Sequence, residues 1–217
     1  MSDVINSRID TLGPSPQMVL KVASVIGKSF EKEILYAVYP IKEELHSLKD
    51  TLHLLIREGL IGRKSKGIYS FKNTFTYQVV YNRLLHTQRE DLHRKVIQQY
   101  EQQLFAIQDL VGQGFADEYP LSLPVYARLA IQCSKVLEGA TKELEPGFID
   151  KALCFIVQAA IMQMQAKRRM NSGRAADHST ATQLLFDKDD AAEDDDEPVK
   201  DLRELAQNML KKYPVTR

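Results

Sequence analysis

The sequence predicts a mainly helical chain interrupted by one short β-hairpin, and three observations carry that expectation. Apolar residues recur at three- and four-residue spacing through most of the 217 positions, the pattern of helices with one buried face. One stretch, 60–71, breaks that period with two short apolar runs around Lys64-Ser65-Lys66-Gly67, the form of two strands and a tight turn. The hydrophobic share is 44%, enough for a core along most of the length.

The first clear helix occupies 14–28. Ser15 is its candidate N-cap, and Pro16 takes the first helical position, where a missing N–H costs nothing. Val19, Val22, Ala23 and Ile26 then share a face, and Gly27 can close the helix. A second, short helix begins after Ser29, with Glu31 and Glu33 in a first turn that favours negative charge, and stops before Pro40. The third, about 43–58, puts Leu45, Leu48, Leu52 and Leu55 on one stripe ahead of Gly59. The strands Leu60-Ile61-Gly62-Arg63 and Ile68-Tyr69-Ser70-Phe71 follow. Three helices and then a β-hairpin is the order of a winged helix.

Beyond the hairpin a helix is expected over about 74–86. Another starts at Thr87-Gln-Arg-Glu90, a capping box, with Leu92, Val96, Tyr100 and Leu104 on its buried side. After a loosely patterned connection (108–121), helices are expected over about 122–138 and 147–168, with Glu145-Pro146-Gly147 between them. Such a helical hairpin is one unit of a solenoid and cannot cover both of its apolar faces alone. Residues 187–197 hold eight acidic side chains and one lysine, a self-repelling composition that predicts disorder. A last amphipathic helix, about 198–212, carries Val199, Leu202, Leu205, Met209 and Leu210. The domain expectation is therefore 1–104, 105–170, a disordered acidic linker 171–197, and a C-terminal amphipathic helix 198–217.

Composition narrows the function classes. Lysine plus arginine balances aspartate plus glutamate, 29 each, so no net field draws in nucleic acid or anionic lipid. Two cysteines, Cys133 and Cys154, give no disulfide framework and fit a reducing compartment. The N-terminus lacks the basic and apolar regions of a signal peptide. The apolar run 152–164, broken by Gln158 and Gln163, falls short of the ~20 residues of a membrane span. A cytoplasmic location is expected.

Several blocks then carry a resemblance. They are Ser7-Arg-Ile-Asp-Thr-Leu12, Gln17-Met-Val-Leu-Lys-Val-Ala-Ser-Val-Ile-Gly-Lys-Ser-Phe30, Leu55-Ile-Arg-Glu-Gly-Leu-Ile61, Tyr69-Ser-Phe-Lys-Asn73, Gln78-Val-Val-Tyr-Asn-Arg-Leu-Leu85 and Arg89-Glu-Asp-Leu-His-Arg94. In order and spacing, over roughly 5–104, they resemble the segment just after the nucleotide-binding core of STAND-type AAA ATPases, including ATPase modules fused to class III adenylyl or guanylyl cyclases. The resemblance implies a winged-helix domain followed by tetratricopeptide (TPR)-like repeats. The chain would then be a fragment of a larger signalling protein, with an ATPase or cyclase domain as partner in cis or trans and other proteins bound through the repeats.

One departure bears on chemistry. The family's Phe-Arg-His block falls on Phe71-Lys72-Asn73. In related switch ATPases a histidine near this hairpin can touch the nucleotide's phosphate. Asn73 is the candidate nucleotide-sensing position here, and it could offer only a neutral hydrogen bond. No Gly-x4-Gly-Lys-Ser/Thr phosphate loop occurs in the sequence, and no catalytic triad or carboxylate pair stands out.

The other candidates have ordinary explanations. His86, Glu90 and His93 have the spacing of one helix face, but the capping box at Thr87 places a helix break after His86, so no metal site is expected. Arg63, Lys64, Lys66 and Lys72 cluster at the hairpin near Tyr69 and Phe71, as a phosphate-binding patch would. The expected groove helix, however, mixes Glu43, Glu44, Asp50 and Glu58 with Lys42, Lys49 and Arg57. Cys133 and Cys154 are expected to be buried and inert. Met162, Met164 and Met170 read as adaptable core filler, and Lys167-Arg168-Arg169 as a decorated helix end. No catalysis, cofactor or metal is expected, and neither nucleic acid nor membrane is an expected partner. A DNA-binding winged-helix regulator is the rival reading.

Overall fold

The computed structural model describes residues 2–112, 118–140, 144–171 and 202–213. Among them the protein is mainly helical, with one small three-stranded antiparallel sheet. Of the expected linker 171–197, Asn171 is the last residue of a helix and 172–197 lie outside these residues, as do Val199 and Gly114. The chain divides into two compact units, Met1–Gln99 and, for the most part, the residues from Tyr100 onward.

The first unit opens with α1 (Ser2–Asp10) and α2 (Pro14–Ile26). Gly13 is the N-cap of α2, so the helix starts two residues before the position expected from Ser15 and Pro16. The reason is local: Pro14 already supplies a helical φ and lacks the N–H that would need a partner. Val19, Leu20, Val22, Ala23, Ser24, Val25 and Ile26 are all buried, which makes α2 a central helix rather than a one-faced one.

Ser29–Glu31 is a strand, β1, not the start of a helix. It pairs antiparallel with β3, Phe30 opposite Tyr69, and the sheet order is β1-β3-β2. The sequence hid this strand because it is only three residues long. α3 (Lys32–Val38) follows directly, and the expected third helix splits into a 3-10 turn, Lys42–Ser47, and α4 (Leu48–Arg57). Leu48, Leu52 and Leu55 are buried as the stripe predicted.

The hairpin is present: β2 (Ile61–Ser65) pairs with β3 (Ile68–Phe71), with an irregularity between Arg63 and Ser65. Gly67 closes the turn at φ 81°, the left-handed backbone region that favours glycine. Alternation puts Phe30, Ile61, Tyr69 and Phe71 on the buried side. α5 (Thr74–Asn82) ends four residues earlier than expected, in two short-range turns, Arg83 N–H to Val80 O and Leu84 N–H to Tyr81 O.

α6 (His86–Gly112) begins in the first unit and ends in the second, turning much of the expected loose connection into helix. α7 (Glu118–Gly139) and α8 (Pro146–Asn171) form the helical pair of the second unit. α7 starts four residues before the expected position and carries Pro124 past its first turn, at the expense of one backbone hydrogen bond. α9 (Leu202–Lys212) packs on α8 and, to a lesser extent, on α7. The apolar stretch of α8 is longer than the sequence reading allowed: Gly147–Ala166 is 20 residues long with a mean hydropathy of 1.3 over an 18-residue window, enough by length and composition alone for a membrane span. In this structure Ala152, Leu153, Ile156, Ala159, Ala160, Met162 and Ala166 of that stretch are buried inside the unit.

Candidate functional site

In the first unit the residues singled out from sequence fall in three places, beginning with the hairpin. Arg63, Lys64, Lys66 and Lys72 are exposed there. The Lys72 stem lies across the backbone of Gly62, where a Cβ would come 2.9 Å from its Cε. Arg63 donates from Nε to Ser65 O (3.3 Å), fastening the irregular end of β2. Tyr69 and Phe71 do not join this patch. They are 7% and 2% exposed and face the core, so no aromatic platform accompanies the basic groups.

Asn73 sits immediately after the hairpin as the N-cap of α5. Its Oδ1 accepts the Phe75 N–H at 2.7 Å, and its carbonyl receives the Tyr77 N–H at 3.2 Å. An asparagine is well suited to this job, because its short side chain reaches the second helical N–H. The side-chain oxygen is committed to the helix.

The third place is the start of α6. The capping box expected at Thr87 is displaced by two residues. Leu85 is in the capping position: its carbonyl receives Arg89 N–H (2.9 Å), and its own N–H donates to Gln88 Oε1 (3.2 Å). Only the reciprocal, glutamine half of a capping box forms, since Leu85 has no oxygen to offer. His86, Glu90 and His93 therefore lie on one continuous helix, contrary to the expected break. They still do not converge. His86 is exposed, Glu90 holds Arg94 at 3.0 Å, and His93 is 3% exposed with Nε2 2.9 Å from the Tyr81 hydroxyl. Among the described residues no three His, Cys, Asp or Glu side chains come together as metal ligands.

Two arrangements escaped the sequence reading. One is a run of rings from sheet to helix: Phe30 on Tyr69 and Phe71, Phe71 on Tyr77, Tyr77 on Tyr81, and Tyr81 on His93, with centroids 5.6–6.2 Å apart. The Arg89 guanidinium covers Tyr81 at 4.6 Å from the ring centroid. The i, i+4 spacing of Tyr77 and Tyr81 was its only sequence signal.

The other is a polar knot. Glu44 Oε2 accepts from Ser15 Oγ at 2.6 Å and from Tyr39 Oη at 2.8 Å, joining α2, the end of α3 and the 3-10 turn. Those two donors hold the Glu44 carboxyl below its usual value. Burial, with the neighbouring carboxylate, pushes the Tyr39 phenol well above its own. No sequence spacing advertises a contact between residues 29 apart.

In the second unit the cysteines differ. Cys133 is buried, and burial followed by the Glu101 carboxylate pushes its thiol up to about 12, Lys151 opposing. Cys154 is exposed, which corrects the expectation that both are interior. Lys151 pairs with Glu101 at 2.7 Å, and Arg128 donates to the Tyr100 hydroxyl at 3.1 Å.

The fold and these sites define a mainly helical protein with a small antiparallel sheet, whose described polar clusters tie elements together. Comparison with known protein families, with curated proteins and with solved structures gave no match to this chain.

Proposed function

We propose that this chain is a non-catalytic regulatory and protein-interaction module of a STAND ATPase or class III nucleotide cyclase type of signalling protein, acting in the cytoplasm as a fragment of a larger assembly. One observation carries most of the weight. Strand β1, inserted between α2 and α3, adds a third strand to the β2–β3 hairpin, so α2, β1, α3, α4, β2 and β3 follow one another as in a winged helix. That is the domain implied by the sequence blocks over 5–104. The α7–α8 pair supports the second half of the reading, a TPR-like repeat segment whose surface receives other helices. Asn73, the candidate nucleotide-sensing position, lies at the end of the hairpin as the N-cap of α5, its side-chain oxygen accepting the Phe75 N–H.

The second reading, a DNA-binding regulator, draws on the exposed Arg63, Lys64, Lys66 and Lys72. Against it stands the outer face of α4. Lys49, Asp50, His53 and Arg57 are its exposed residues, with Glu58 just beyond, so the helix that would enter a groove presents both signs of charge.

One set of measurements separates the two readings. The purified chain should show no shift in melting temperature with ATP or ADP, and no duplex DNA binding by fluorescence anisotropy at about 50 mM salt. Cross-linking of the tagged chain in its own cells should capture a polypeptide bearing a phosphate loop or a class III cyclase domain. DNA binding tighter than about 1 µM that collapses by about 200 mM salt would replace the first reading with the second.

A further inference from the structure

The second unit contains a helix that arrives from far along the chain. α8 ends at Asn171 and α9 begins at Leu202, so 30 residues intervene before α9 settles on α8 and α7. α9 is held there by its own contacts with α8 and α7.

The contact is narrow and specific. Leu202, Ala206 and Met209 are 2%, 7% and 4% exposed and Leu205 is half-buried, whereas Arg203, Glu204, Gln207, Asn208, Leu210 and Lys211 are exposed. The anchors fall at i, i+4 and i+7, the pattern by which an amphipathic helix fills a groove. Both ends of α9 are tied to the groove by hydrogen bonds. At its start, Gln163 Oε1 of α8 accepts the Leu202 N–H at 3.1 Å. At its end, Tyr213 Oη (2.9 Å) and Lys212 Nζ (3.4 Å) donate to the Leu137 carbonyl. Leu137 lies in the last turn of α7, where carbonyls lack intrahelical donors and positive charge is favoured.

With only 11 residues, α9 is shorter than the ~12–15 that an isolated helix needs to persist in water. Its helicity therefore depends on docking, and one of its three anchors is only an alanine. We propose that the α7–α8 surface beneath α9 is a docking groove for an amphipathic helix of a partner protein, and that α9 is its tethered internal competitor. The partner helix carries apolar anchors at i, i+4 and i+7 and ends in hydroxyl or cationic groups that reach the Leu137 carbonyl. Tethering presents α9 to the groove at an effective concentration on the order of 1 mM. A partner helix must outcompete that, and it gains access whenever α9 is removed or held elsewhere. This rests on the interaction-module reading and names the kind of partner that module takes.

The test uses the full chain with a specific protease site placed within 172–201, and a fluorescein-labelled peptide of residues 200–213 as the probe. The intact chain should bind the peptide weakly. Cleavage followed by dilution should tighten the apparent affinity at least ~10-fold, because the tether is lost. Peptide carrying Ala206→Asp should not bind, and peptide carrying Lys212→Gln with Tyr213→Phe should bind several-fold more weakly. Equal affinity before and after cleavage would overturn the proposal. So would collapse of the helical circular-dichroism signal on cleavage and dilution, since α9 would then be an integral core helix. No ATPase or cyclase takes part, so failure here is distinct from failure to find such a partner.

Discussion

In the first unit α2 buries Val19, Leu20, Val22, Ala23 and Ser24 completely, and the same unit fully buries the large side chains Phe30, Leu35, Tyr39, Leu48, Leu55 and Ile61. In the second unit α8 buries Ala152, Ile156 and Ala159 to the same degree, but leaves Lys151, Cys154, Ile161 and Gln165 exposed along its length. The first core is thus a central helix wrapped by bulky and aromatic groups. The second is a set of helices brought close by alanines, completed by a helix from 30 residues further along the chain. Removing volume should injure the first most, because its rings have few ways to refill a void. Adding volume should injure the second, because its backbones approach closely.

The largest effect is expected from Phe30→Ala. Phe30 is fully buried on β1 and stacks on Tyr69 at 5.9 Å while meeting Phe71 at 6.0 Å. Its truncation leaves a cavity between sheet and helices and should cost about 3–5 kcal/mol. Hydrogen exchange followed by mass spectrometry should show protection lost from β1, β3 and α2, while peptides of α7 and α8 keep theirs. An equal loss in both units would break the contrast.

A smaller effect is expected from Ala159→Leu. Ala159 has no exposure on α8, and three added carbons must push helices apart at a cost of about 1–3 kcal/mol. Urea unfolding monitored by exchange in α7, α8 and α9 reads this directly. If the variant is as stable as the parent, the second core has spare room, and close approach through alanine is the wrong account of it.

How much of this was legible in the sequence differs in the same way between the two regions. Periodicity located the helices from α2 onward and the hairpin but not α1, because Leu48, Leu52 and Leu55 or Val96, Tyr100 and Leu104 repeat at a spacing that only a helix turns into one face. It missed β1, since three residues cannot display a period, and it misplaced caps wherever the capping residue was atypical. Leu85 caps α6 with no side-chain oxygen, so the Thr87 signal drew attention two residues too far along. Long-range polar contacts were invisible: Ser15 looked like an N-cap, yet its hydroxyl is given to a carboxylate 29 residues away. Lys212 and Tyr213 gave no hint of Leu137, 75 and 76 residues distant. At the hairpin, sequence picked out the basic side chains that the structure exposes, Arg63, Lys64, Lys66 and Lys72, but not the orientation of the rings beside them. Tyr69 and Phe71 turn inward because strand alternation places them opposite the exposed Lys72.

The smallest effect concerns the polar knot of the first unit. Ser15 and Tyr39 both donate to Glu44, Ser15 having the larger influence, and together they hold the carboxyl below its ordinary 4.5. A group whose folded value is depressed stabilises the fold above the unfolded value and loses that contribution as pH falls through the folded one. Below 4.5 the unfolded chain takes up a proton at Glu44 that the folded chain still refuses, so stability declines with acidification across that window. Tyr39 stays protonated throughout, because its phenol is shifted upward, and it remains a donor at every pH in that range. Ser15→Ala removes the stronger donor and should bring the Glu44 midpoint up toward 4.5, as followed by NMR titration of its side-chain carboxyl carbon. The acid limb of the stability profile should flatten in step. An unchanged midpoint in Ser15→Ala would mean that the 2.6 Å contact does not hold in solution and that α2 and the 3-10 turn are joined by apolar packing alone, as the helices of the second unit largely are.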